Sequence, residues 1–233
     1  MSQKELNSQT GFSRINREVG VRLNNVGKRF NREWIFRHFT YQFHSGKTYA
    51  ITGSNGSGKS TLLQVIAGSL THNEGSIITS NGQLAMGNEL SAKLTITNEN
   101  FYQHISIAAP YLELIEEMTA KEILHFHAQF KPLITTLTTD EMLEIVGLKN
   151  AANKQIRYHS SGMKQRLKLA QAFFSNTPIL LLDEPTTNLD TDGTVLYHNL
   201  IKNYTANKLV IVSSNDKQEY DFCEKVIEIA EYK

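Results

Sequence analysis

Gly53-Ser54-Asn55-Gly56-Ser57-Gly58-Lys59-Ser60-Thr61 carries the spacing G-x-x-x-x-G-K-[ST] at Gly53, Gly58, Lys59 and Ser60. Such a loop points successive backbone N–H groups inward at the β- and γ-phosphates of a nucleotide. Lys59 adds a point charge, and the Ser60 hydroxyl takes one place on a magnesium ion. The glycines let the backbone close on an anion with no Cβ in the way. Tyr49-Ala50-Ile51, just before the loop, suits a short buried strand, and Leu62, Leu63, Val65, Ile66 and Ala67 continue after it as an apolar helix. A Gly/Ser-rich linker without a ligand would need neither flank. The stretch implies a bound nucleoside triphosphate.

Composition agrees without sharpening the reading. A chain of 233 residues is long enough for one large domain, or a core with a smaller lobe. Its 24 Lys+Arg against 23 Asp+Glu leave a formal charge of +1, so no bulk charge points to nucleic acid or an acidic membrane. A single cysteine, Cys223, rules out an internal disulfide and suits a reducing compartment. The longest apolar runs, such as Ile179-Leu180-Leu181-Leu182, are strand-sized, far below the ~20 residues of a membrane span. The first 20 residues lack the apolar core of a signal peptide.

Residues 1–19 read as a flexible arm, and the domain is expected over 20–233. From Val21 to Ser45 the β-branched and aromatic residues predict antiparallel strands. Ile77-Ile78-Thr79, a turn at Asn81-Gly82 and Gln83–Met86 read as a hairpin. Two capping boxes, Thr119-x-x-Glu122 and Thr138-x-x-Glu141, open apolar-periodic helices and place a helical insert at about 98–158. A helix near 161–175 and strands at Ile179–Asp183, Lys208–Ser213 and Val226–Ile229 follow. His125 and His127 fall on different faces of one helix, which argues against a metal there. Lys164 and Arg166 read as solvated.

Two further motifs carry chemistry. Ile179-Leu-Leu-Leu-Asp183-Glu184-Pro185 describes a buried parallel strand whose carboxyl end delivers two acids. Beside a phosphate loop, Asp183 would organise the magnesium and Glu184 would orient or deprotonate the attacking water. Ser160-Ser161-Gly162-Met163-Lys164-Gln165-Arg166 opens an apolar helix, leaving free N–H groups and a positive dipole end that favour an anion.

In this order, the phosphate loop, helical insert, Ser-x-Gly-x-x-Gln-Arg, Leu-Leu-Leu-Asp-Glu-Pro and Thr187-Asn188-Leu189-Asp190 resemble the ATP-binding cassette ATPases, specifically a stand-alone nucleotide-binding subunit of an ABC transporter. The likeness runs from about Val21 to the C-terminus. It implies an α/β P-loop NTPase fold with a mostly parallel central sheet, an N-terminal antiparallel β lobe and the α-helical insert. It implies ATP and magnesium as cofactors, held by residues 53–61, with Phe30 stacking on adenine. Ser160, Ser161 and Gly162 would close on an ATP held by a second copy or a paired ABC subunit, and Thr187–Asp190 would link the two sites. A separate membrane-spanning permease would dock near Ile105–Leu114, leaving this chain cytoplasmic and peripheral to the membrane. A soluble non-transport ATPase of the same type, or a low-turnover nucleotide sensor, remain alternatives.

Three positions depart from the family pattern. The signature reads His159-Ser160-Ser161-Gly162-Met163 and lacks its glutamine, and Ser161 is acceptable there only at negative φ. Ile107-Ala108-Ala109-Pro110-Tyr111 occupies the loop that should carry a metal- and water-contacting glutamine. Asn215 stands where a switch histidine is expected; it can donate to a γ-phosphate oxygen but cannot become cationic.

Overall fold

The computed structural model describes residues 19–81 and 100–233. Two sheets organise them. β1 (Val19–Phe30), β2 (Glu33–Phe43) and β4 (Glu74–Asn81) form an antiparallel sheet in the order β2-β1-β4. β3 (Thr48–Thr52), β5 (Ile105–Ala108), β6 (Ile179–Asp183), β7 (Leu209–Ser213) and β8 (Lys225–Glu228) form a sheet in the order β5-β6-β7-β3-β8, every pairing parallel. The helices are α1 (Lys59–Ile66), α2 (Ala120–Phe130), α3 (Thr139–Ile145), α4 (Ser161–Phe174), α5 (Thr191–Tyr204) and α6 (Lys217–Tyr220).

The parallel strands read as continuous apolar runs because both of their faces are covered. Within β6, Ile179 and Leu181 join an apolar cluster that also holds Leu62 and Leu63 of α1 and Phe36, Phe39 and Phe43 of β2. Leu180 and Leu182 join another, with Leu124 of α2, Leu143 of α3, Phe173 of α4 and Leu200 of α5. β7 alternates in the same way, Leu209 and Ile211 facing the first cluster and Val210 and Val212 the second. A two-residue period thus fastens the antiparallel lobe and α1 to one face of the sheet and α2, α3, α4 and α5 to the other. Truncating Leu181, which is fully buried, to alanine should cost about 2–5 kcal/mol.

Both capping boxes form. The Thr119 hydroxyl accepts from Glu122 N at 3.2 Å while Thr119 N donates to Glu122 Oε2 at 2.8 Å, and Thr138 and Glu141 repeat the exchange. The insert, however, does not begin at 98. Ile105–Ala108 is a strand of the central sheet, in parallel register with β6 from Ile105↔Ile179 to Ala108↔Leu182, and the helices start at Ala120. Val19, expected in the arm, is already buried in β1. The rest of that arm and the second half of the expected hairpin, Gln83–Met86, lie outside the described residues.

Candidate active site

The parallel strands share one carboxyl edge, the customary ligand edge of an open α/β sheet. The register pairs Ile51 of β3 with Ser213 of β7, and Asp183 of β6 with the same Ser213. The strand ends therefore bring the phosphate loop and the acidic pair to the same edge, on either side of β7. Residues 53–58 turn from β3 into α1, with Ser57 N donating to Ser54 O at 3.0 Å. Gly58 sits at φ 107°, where a Cβ would stand 2.6 Å from Ile35 Cγ2. Gly53, at φ 142°, would meet Ser57 Oγ and Ile229 Cγ2 at 2.8 Å. A side chain at either position would collide with its packed neighbours and force the loop out of shape.

Lys59 is only 5% exposed, and its Nζ donates to the carbonyls of Gly53 at 2.8 Å and Ser54 at 3.2 Å. A cavity of about 200 Å³ opens against the loop, lined by Asn55, Gly56, Gly58, Lys59, Ser60 and Thr61, with Ile35 on one side and Glu184 on another. Glu184 reaches this rim in a left-handed conformation, φ 41°, which costs a non-glycine residue roughly 1–3 kcal/mol. Its neighbours fix it. Glu184 N donates to Ser213 O at 2.9 Å, and Thr187 N donates to Glu184 O at 3.1 Å. The buried Glu219 then accepts from Thr186 N at 2.7 Å and from the Thr186 hydroxyl.

Asp183 is 1% exposed. Burial pushes its pKa up, Glu184 adds to that, and Ser213, Ser60 and Lys59 pull it back. Its Oδ1 is buried without a hydrogen-bond partner. An orphaned carboxylate oxygen beside the Ser60 hydroxyl is the donor set a hard cation takes together with phosphate oxygens and water, so these residues fit magnesium. Among the described residues no cluster of three His, Cys, Asp or Glu could hold a metal by itself. Magnesium bound with a nucleotide needs no such cluster.

Asn215, which follows β7, does reach the loop: its Nδ2 donates to Asn55 Oδ1 at 2.7 Å. Phe30 does not line the cavity. It ends β1 48% exposed, with the Lys28 ammonium 4.9 Å from its ring centroid, and Ile35 is the apolar residue that touches the cavity. Ser160 caps α4 by accepting from Met163 N at 3.2 Å. Ser161 is helical with negative φ, so its replacement of glycine carries no strain. Ser160, Ser161 and Gly162 are not part of the cavity lining either.

Asp190 sits apart from the cavity as well. Its Oδ1 accepts from Gly193 N at 2.8 Å, capping α5, and from Arg166 at 3.0 Å. Arg166 is therefore paired, not merely solvated, and Lys164 is paired with Glu116 at 2.7 Å. The Arg166–Asp190 pair ties the start of α4 to the loop after β6, and Lys164–Glu116 ties it to the segment before α2. Gln165 Nε2 donates to Pro185 O at 2.8 Å, and a Cβ on Gly162 would approach Asn188 O to 3.0 Å. His127 donates no lone pair to a metal site; its Nε2 is bonded to Ser175 Oγ at 2.8 Å.

The family model described as ABC transporter matches residues 36–187, most of the chain, from within β2 to the loop after β6. The chain belongs to the ABC transporter family. It is similar to the ABC transporter ATP-binding protein YybJ of Bacillus subtilis strain 168, 28% identical over 90% of this chain and 92% of YybJ. The ATP-binding protein HrtA of Staphylococcus aureus, named for hemin import, is 25% identical over 91% of this chain and 95% of its own length. Among solved structures, an ABC ATP-binding protein of Pyrococcus furiosus superposes with a TM-score of 0.72 at 18% identity, covering 91% of this chain and 98% of that one. The cassette MJ0796, dimeric and bound to ADP and Pi, gives 0.70 at 24% identity over 90% and 94% of the two chains. This ABC protein is thus an ATP-binding subunit of the ATP-hydrolysing kind, with a P-loop NTPase fold. Among the described residues no helix is long and apolar enough to cross a membrane.

Proposed function

We propose that this ABC subunit hydrolyses magnesium–ATP in a dimer and that the cycle drives a separate membrane-spanning partner. One observation carries the chemistry: Glu184 stands on the rim of the same cavity as Lys59 and Ser60, with the buried Asp183 behind it. Lys59 and the loop N–H groups hold the phosphates. Ser60 and Asp183 would hold magnesium, which neutralises charge developing on the phosphates. Glu184 orients the attacking water and accepts its proton, while Asn215 donates toward the terminal phosphate.

The dimer reading is supported by which residues line the cavity. The first turn of α4, with its hydroxyls and N–H groups, does not line this cavity, the arrangement expected if each copy completes the other's site. For the partner, a groove of about 360 Å³ lies between Pro110, Leu112 and Leu114 on one side and Lys164 and Lys168 on the other. It overlaps the expected docking stretch at Pro110–Leu114, which supports a permease docking there. A low-turnover sensor is the second reading, favoured by the uncharged Asn215 in the switch position. Steady-state phosphate release decides between them: turnover abolished by Glu184→Gln supports the motor, and the absence of any turnover in the native subunit supports the sensor.

A further inference from the structure

The peptide that joins Pro185 to Thr186 is gripped at both poles. Its C=O accepts from Nε2 of the buried Gln165, in α4, at 2.8 Å. Its N–H donates at 2.7 Å to Oε1 of Glu219, in α6, and the Thr186 hydroxyl donates to the same oxygen. Glu219 is only 3% exposed, and its backbone is anchored in turn. Its N–H donates to Asp216 O at 3.0 Å, and its carbonyl accepts from the hydroxyl of Tyr197, fully buried in α5, at 2.6 Å. Asp216 follows Asn215 directly, and its own N–H donates to Ser214 Oγ at 2.9 Å. One carboxylate thus spans from the chain after β7 to the chain after β6. Only Pro185 separates the gripped peptide from Glu184, and the proline ring leaves φ no freedom there.

We propose that Glu219 is a positioning residue for hydrolysis: by fixing the Pro185–Thr186 peptide it holds Glu184 in its left-handed conformation at the rim of the cavity. The proposal rests on the ATPase reading above. A φ of 41° at Glu184 persists only where the surroundings over-determine it, and the peptide one residue on is the part of those surroundings that two buried side chains fix. A carboxylate suits the task, because an ionised acceptor holds N–H and O–H donors more firmly than an amide oxygen does. Glu219 does not line the cavity, so its effect on the chemistry runs through Glu184.

The test uses the full chain. Glu219→Ala should lower kcat by about tenfold to a hundredfold while calorimetry finds magnesium–ATP affinity within about twofold of native. Glu219→Gln keeps an acceptor oxygen and should recover most of that loss, to within about threefold of native. In a Glu184→Gln background, Glu219→Ala should slow the residual turnover by less than about twofold, because the base it positions is already gone. Native kcat in Glu219→Ala would overturn the proposal, as would affinity lost in step with kcat, or effects that multiply in the double variant. Should Glu219→Ala not fold, Thr186→Val, which removes the hydroxyl and keeps the peptide N–H, carries the test. Its kcat should drop by about threefold at unchanged affinity, and a native kcat there overturns the proposal equally. A native subunit that turns over no magnesium–ATP sinks the ATPase reading as well; a native ATPase indifferent to Glu219→Ala sinks this proposal alone.

Discussion

The amide of Asn215 donates to the amide oxygen of Asn55 at 2.7 Å, across 160 residues of chain. The loop after β7 is thereby fastened to the phosphate loop by two uncharged groups. Asn215→Ala should lower kcat by about three- to tenfold, as one neutral hydrogen bond is lost. Asn215→His should add a pH inflection near the ordinary histidine value of about 6.5 that the native enzyme lacks. Phosphate release measured across pH checks both, and an unaltered rate in Asn215→Ala would reduce the residue to a turn.

Glu184→Gln keeps the shape of the site and removes the base. Turnover should fall by about 10²–10⁴, the usual contribution of a positioned general base. ATP should then hold two copies together, visible as a dimer by size-exclusion chromatography in ATP and as a monomer without it.

Gly58→Ala puts a methyl 2.6 Å from Ile35 Cγ2 at a φ of 107°. Strain of roughly 1–3 kcal/mol is expected from the backbone alone. Chemical denaturation should register that loss, and calorimetry should find ATP binding weakened, because the clash with Ile35 and the positive φ together displace the loop.

Lys59→Ala separates affinity from folding. The ammonium bonds loop carbonyls at Gly53 and Ser54 and would face phosphates in the complex. We expect ATP affinity to drop by more than about tenfold, given that hydrogen bonds to charged groups contribute more than neutral ones. The circular dichroism spectrum should stay native.

His127 sets a pH dependence of stability. Ser175 Oγ donates to Gln171 O at 2.6 Å, so it accepts from His127 Nε2, which fixes a neutral tautomer. Burial first, then Lys131, lowers the pKa from 6.5 to about 4. The unfolded chain therefore binds this proton at a pH where the native state does not. The contribution is fully present above 6.5 and is lost as pH falls toward about 4. Urea midpoints measured from pH of about 7.5 to about 4.5 should fall more steeply for the native protein than for His127→Asn.

The features legible in the sequence are those whose physics is local. The phosphate loop, the capping threonines and the buried strand ending in Asp183 each announce themselves within nine or fewer neighbouring residues. Ile105–Ala108 did not: four residues, one of them a serine, are too few to separate a strand from the helical stretch around them, and only pairing with β6 defines it. Contacts across the chain were equally hidden. Arg166 finds Asp190 24 residues away, Thr186 finds Glu219 33 residues away, and Lys168 finds Pro110 58 residues away. No spacing rule links such pairs, because the order of strands in the sheet brings them together. Ile35 belongs with them: it reads as an ordinary strand residue until Gly58 packs against it.

The alternation along β6 has a consequence for how this protein can fail. A slip of one position against β7 would swap the partners of Ile179, Leu180, Leu181 and Leu182, and would also carry Asp183 out of line with Ser213. Misalignment cannot damage the chemistry quietly, since the same error strips both hydrophobic bodies of their leucines. Chains that assemble wrongly here would be discarded as unfolded before they could act as faulty ATPases.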